Sequence, residues 1–122
     1  MYSNIETLGT QFISTYYQTL ATDRFSLINF FTDFSHLTYN GQDFHGLKDI
    51  AEKIESFSFQ QIHHEYDQPF VQPGPIEGSL VVSASGKLTM DGNVYHFSEC
   101  FVLCPNGQGG YYCHNDIFTL FG

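Results

Sequence analysis

The chain has 122 residues, of which 42% are hydrophobic, with thirteen Phe, eight Tyr and no Trp. Four basic residues stand against thirteen acidic ones, a formal charge of −9, and Arg24, Lys48, Lys53 and Lys87 cannot assemble the basic patch that nucleic acid or an anionic membrane requires, so neither is an expected partner. One domain over residues 1–122 is expected, long enough to hide roughly two-thirds of its unfolded surface, and the aromatic content excludes low-complexity disorder.

The first six residues hold neither a basic region nor an apolar run, so no secretory signal is read there. No stretch reaches the length of a membrane span. Ile5, Leu8, Phe12, Ile13, Tyr16 and Leu20 recur at helical spacing and predict an amphipathic helix over residues 4–20, capped by Ser3 or Asn4. Asp23 then caps a second, shorter helix carrying Phe25, Leu27, Ile28, Phe30 and Phe31, buried on more than one side. Residues 36–39 and 42–45 read as two strands joined by Asn40-Gly41, the pair a type I′ turn prefers because both residues tolerate positive φ. Leu47, Ile50, Ala51 and Ile54 mark a third helix ending near Phe57.

From Phe59 the pattern turns to strands. One runs to Phe70, broken by Pro69, and Pro73-Gly74-Pro75 is a loop. Ser79 to Met90 follows, with a bulge expected at Gly86. Asp91-Gly92-Asn93 is a turn, and Val94 to Cys104 and Gly110 to Phe121 complete a four-stranded meander. Helices segregated from an antiparallel sheet make an α+β domain.

No local motif supports catalysis, metal or cofactor binding. His63 and His64 are adjacent on a strand and point to opposite faces, so they cannot chelate one ion, and His96, His114 and the cysteines lack zinc-ligand spacing. Cys100, Cys104 and Cys113 form no CxxC pair and read as reduced thiols in a cytosolic or nuclear compartment. Asp116, His64, Tyr16 and Tyr39 are the residues able to converge for acid–base work in a cavity. The plainer reading of Asn115-Asp116 is a brace for the neighbouring turn.

Several stretches together resemble the nuclear transport factor 2 family. Phe12-Ile13-Ser14-Thr15-Tyr16-Tyr17 is similar to the family's FxxxYY helix, with Asp23-Arg24 following. Leu37 to Gly46 resembles its L-T-aromatic-x-G-Q-x-x-x-G hairpin. Phe59-Gln60-Gln61 with His64 resembles its F-Q-x-x-x-H strand, and Asn115-Asp116-Ile117-Phe118 its N-D-I/M-F signature. The resemblance implies a cone-shaped fold, a curved antiparallel sheet wrapped over three helices and paired back to back as a homodimer. It implies a non-enzymatic carrier that imports the GDP-bound small GTPase Ran and touches Phe-Gly repeats of nuclear pore proteins, passing between cytoplasm and nucleus.

The implied Ran site comprises Tyr39, Asn40, Ile62, His64, Asp91, Asn93, Asp116 and Phe118. Two of these depart from the family pattern, because Asn40 and Asn93 stand where it carries carboxylates, and Asp43, Glu65 and Asp116 are the candidates to compensate. Ile5 takes the place of the family's Phe-Gly-contacting Trp, with Gly9 leaving a notch beside it. The dimer face is expected on the outer side of the sheet, at Val81, Ser83, Ser85 or their alternates, with Phe101, Leu103, Tyr112 and Ile117 on neighbouring strands.

Overall fold

The computed structural model describes residues 2–121. Helix α1 spans Tyr2–Thr22 and lays Ile13, Tyr16 and Tyr17 into the core. Ser3 and Asn4 fall inside its first turn, so neither is its cap. The second predicted helix is a 3₁₀ helix over Arg24–Phe30. Its Asp23 carboxylate accepts from the Ser26 hydroxyl at 2.6 Å instead of capping a backbone N–H.

Strands β1 (His36–Tyr39) and β2 (Gln42–His45) form the hairpin, with Asn40 and Gly41 both at positive φ, 50° and 83°. Helix α2 covers Leu47–Glu55 and buries Ile50 and Ile54. Five strands follow: β3 (Ile62–Tyr66), β4 (Phe70–Pro73), β5 (Leu80–Met90), β6 (Asn93–Pro105) and β7 (Tyr111–Phe121).

The sheet order is β2-β1-β7-β6-β5-β3, with β4 also on β5. Three expectations change here. The strand predicted from Phe59 to Phe70 is β3 in its middle only; β4 begins at Phe70 and runs into the expected loop as far as Pro73, and the two occupy opposite ends of the long strand β5. The sheet is mixed, because β1 runs parallel to β7. A parallel pair needs a long crossover, and everything between β1 and β7 supplies it. Gly86 marks close approach in place of a bulge, since a Cβ there would run into the carbonyl oxygen of Glu65 on β3. The register shift in the β6–β7 ladder lies at Val102/Leu103, opposite the Cys113–Asn115 stretch.

The sheet curves around α1, the 3₁₀ helix and α2 to give a cone. Leu80, Val82, Ala84 and Leu88 from β5, with Phe97, Phe101 and Leu103 from β6, meet Ile13, Tyr16, Leu27 and Ile50 from the helices. Phe101 and Leu103 are therefore core residues, fully buried, and not part of the outer face. Strict alternation along β6 puts them on the same side as Phe97, with Cys100 and Val102 outward.

Candidate functional site

Inside the cone lies a narrow cavity with an aromatic mouth and an acidic floor. Tyr39, Phe57, Phe59, Ile62 and Phe118 line it together with Leu20, Leu27, Phe31, Leu37, Ile54 and Leu88, and Tyr16, His64, Glu99 and Asp116 bring the polar groups. The space within is about 30 Å³, enough for two or three water molecules at the ~10–15 Å³ each requires.

The mouth is built from stacked rings. Tyr39 lies on Phe118 with centroids 4.7 Å apart and touches Phe57 at 5.3 Å. Phe57 in turn meets Phe59 at 5.4 Å. Two of the four basic residues flank these rings: Lys53 Nζ sits 4.8 Å from the Tyr39 centroid, and the Arg24 guanidinium 4.2 Å from that of Phe59. Arg24 also donates to the carbonyls of Phe57 and Phe59, pinning the loop between α2 and β3. Burial, followed by the charges of Glu99 and Asp116, pushes the Tyr39 phenol up to about 12.

The floor holds two buried carboxyl groups, Glu99 and Asp116, 4% and 1% exposed. In the β6–β7 ladder Glu99 faces Phe118 and Phe101 faces Asp116, so the two acids are diagonal neighbours on one sheet face. The register shift makes this possible. Cys113 points inward, and simple alternation would then turn Asp116 outward. The extra residue at His114 resets the phase and aims Asp116 and Phe118 inward.

Helix α1 reaches both acids. The Tyr16 hydroxyl donates to Asp116 Oδ2 at 3.1 Å, and the Tyr17 hydroxyl to Glu99 Oε1 at 2.9 Å. Burial above all, then the neighbouring Asp116, pushes Glu99 well above the usual carboxylate range. Burial also raises Asp116, against the hydrogen bonds from Glu99 and Tyr16 that favour its charged form. His64 is lowered to about 3 by burial and by His63 beside it, so it adds no positive charge at neutral pH.

Of the residues expected at the site, Tyr39, Ile62, His64, Asp116 and Phe118 share this cavity. Asn40, Asp91 and Asn93 do not line it, and two of them serve the backbone. Asn40 Oδ1 accepts from the Leu120 N–H at 2.7 Å, tying the β1–β2 turn to β7. The Asp91 carboxylate accepts from the Gln60 and Gln61 N–H groups at 2.8–3.2 Å. Asn93 is exposed at the start of β6. Asp116 is too deep to replace a lost rim charge. Glu99 was missed by sequence reasoning. Its signal was an acid in phase with the inward residues Phe97, Phe101 and Leu103.

The outer sheet face carries a row running Phe70, Ser83, Cys100, Ile117 and Thr38 across β4, β5, β6, β7 and β1. Phe70 and Ile117 are 79% and 53% exposed. At α1, Ile5 packs against the core cluster. The expected notch at Gly9 is absent: a Cβ there would stand 2.6 Å from Val71 Cγ2, so β4 fills it.

Residues 8–120 match the nuclear transport factor 2 (NTF2) domain. The chain belongs to the nuclear transport factor 2 family. A nuclear transport factor 2 from Eremothecium gossypii is 38% identical over 122 residues, covering 98% of this chain and 97% of the relative. The solved nuclear transport factor 2 of Cryptosporidium parvum superposes with a TM-score of 0.91 at 34% identity, covering 95% of this chain and 94% of that one. A chain of the yeast deubiquitinase Ubp3 and Bre5 cofactor complex shares the fold alone, with a TM-score of 0.81 at 21% identity over 92% of this chain and 93% of that one. Within the nuclear transport factor 2 fold, the aromatic mouth and acidic floor are thus the features of this member to be explained.

Proposed function

We infer that this member of the family is a non-enzymatic nuclear transport carrier. It takes GDP-bound Ran at the cavity mouth and moves between cytoplasm and nucleus through contact with Phe-Gly repeats, as a homodimer. The observation that carries the reading is the mouth of Tyr39, Ile62 and Phe118, in a chain that matches the family over nearly its whole length. An aromatic collar is suited to grip one aromatic side chain of a partner by stacking. The interior is too small for that ring as it stands, so the Tyr39 and Phe57 rings must turn aside when the partner docks. The same narrowness argues against a substrate pocket.

The rim is less acidic than the family pattern that the sequence resembles, and Asp91 is held by two backbone N–H groups. Close interfacial charge pairs couple by about 1.5–7 kcal/mol, so Ran is bound more weakly than by a member with the full acidic set. This feature favours, as the second reading, a scaffold of the same fold that binds Phe-Gly or other short peptides without Ran. Capture of purified Ran loaded with GDP or with GTP separates the two. Retention of the GDP form alone supports the carrier. Retention of neither form leaves the scaffold.

A further inference from the structure

We propose that the cavity floor stores one proton between Glu99 and Asp116, and that Glu99 is the positioning residue whose carboxylic acid group locks helix α1 to strands β6 and β7. The available donors decide where that proton sits. Each tyrosine supplies one hydroxyl, Tyr16 to Asp116 Oδ2 and Tyr17 to Glu99 Oε1. Asp116 Oδ1 is buried and receives no N–H or hydroxyl. Its neighbour on the same sheet face is the Glu99 carboxyl, diagonal to it across the β6–β7 ladder. Two carboxyl groups can hydrogen-bond only when one carries a proton. A single proton on Glu99 satisfies the set: Tyr17 donates to Glu99, Glu99 to Asp116 Oδ1, and Tyr16 to Asp116 Oδ2.

Among the described residues, no Lys or Arg lines the cavity to take the place of that proton. The titratable groups that bear on the floor are Tyr16 and Tyr17 from α1, Tyr39 from β1, His64 and Tyr66 from β3, Cys100 from β6 and Cys113 from β7. The 3₁₀ helix and α2 offer the cavity only Leu27 and Ile54. Like-charged carboxylates buried together cannot both ionise without cost, and the shared proton removes it. The proposal stands on this network alone and does not depend on which partner docks above it.

The test uses the full chain at neutral pH. An infrared spectrum of the parent is expected to show the carbonyl band of a buried carboxylic acid, and Glu99→Gln is expected to abolish it. The Gln amide can still accept from Tyr17 and donate to Asp116, so the fold is kept. Urea unfolding between pH 5 and 7 supplies the second reading. One retained proton makes the parent lose stability relative to Glu99→Gln, by about tenfold in the unfolding equilibrium constant per pH unit. Absence of the band in the parent, its survival in Glu99→Gln, or equal pH slopes overturns the proposal. Should Glu99→Gln fail to fold, Asp116→Asn replaces it: the Glu99 acid loses its carboxylate acceptor, so its band is expected to shift or disappear, and a band at the parent's position overturns the proposal.

Discussion

Tyr17 lies flat against His64, ring centroids 3.8 Å apart and planes within 9°, while its hydroxyl is committed to Glu99. The stack covers one face of the His64 ring, and burial, with His63 beside it, lowers its pKa to about 3. An unfolded His titrates near 6.5, so the stability this neutral histidine contributes is present above that pH and is lost as pH falls from there towards 3. NMR titration of the six His rings is expected to leave the His64 signals unmoved from pH 8 to pH 5. A His64 midpoint near the ordinary value would mean that the stack opens in solution. Tyr17→Phe keeps the stack but leaves Glu99 Oε1 without its donor, at about 1–3 kcal/mol of stability.

The outer face predicts a self-association state. Phe70, Cys100 and Ile117 share one cross-strand row with Ser83, and a stable obligate dimer commonly buries more than about 2,000 Å² in total. Ile117→Glu would bury a lone charge at a cost of several kcal/mol. A dimeric parent and a monomeric, folded Ile117→Glu are expected by light scattering at micromolar concentration. A monomeric parent would remove the homodimer from the proposed function.

The helices, the hairpin and the long strands could be read from the sequence because each rests on local signals: helical spacing from Ile5 to Leu20, Asn40-Gly41 for the turn, and turn residues around Asp91. The cavity wall was legible at Tyr39, Ile62, His64, Asp116 and Phe118, through the family motifs. What stayed hidden is set by pairing between distant residues. The parallel contact of β1 with β7 leaves no mark on either strand. The phase reset at His114 decides which way Asp116 points, and Phe101 and Leu103 were placed on the wrong face for lack of the same register. Gly9 and Gly86 carry no sign of the Val71 side chain or Glu65 carbonyl that approaches them. Glu99 joins the floor only because β6 and β7 bring it diagonally beside Asp116.

Ran binding offers a sharper test through its two amide positions. Asn40 has φ 50° and holds the Leu120 N–H, so Asn40→Glu would lose that bond at a backbone conformation unfavourable to Glu. Asn40→Asp keeps both, since Asp tolerates positive φ and accepts the same N–H. Asn93 is exposed, and Asn93→Asp adds charge without structural cost. Each charge that finds a basic partner is worth about 1.5 kcal/mol or more, roughly tenfold in Kd. Tighter binding of GDP-loaded Ran by the double variant, with steeper salt dependence, is the expected outcome in calorimetry. Tyr39→Ala should weaken it by removing one mouth ring. Unchanged affinity in all of these would place Ran elsewhere or remove it as a partner.

The Phe-Gly contact of the proposed function would turn on Ile5. The side chain is half-buried and packs on the core, so only part of it remains for a visiting ring, and Gly9 adds no slot because Val71 occupies that space. A visiting ring would therefore meet the exposed edge of Ile5 itself. A Trp at this position would present more apolar area, and at about 25 cal/mol per Å² an extra ~40 Å² is worth about 1 kcal/mol. Titration of a labelled Phe-x-Phe-Gly peptide is thus expected to give roughly fivefold tighter binding for Ile5→Trp and none for Ile5→Asp. Gly9→Ala separates packing from binding: its Cβ meets Val71, and overpacking of this kind costs about 1–3 kcal/mol, so its thermal midpoint should fall while peptide affinity holds. Equal peptide binding by the parent, Ile5→Trp and Ile5→Asp would make Ile5 a core residue only and move the repeat site off the start of α1.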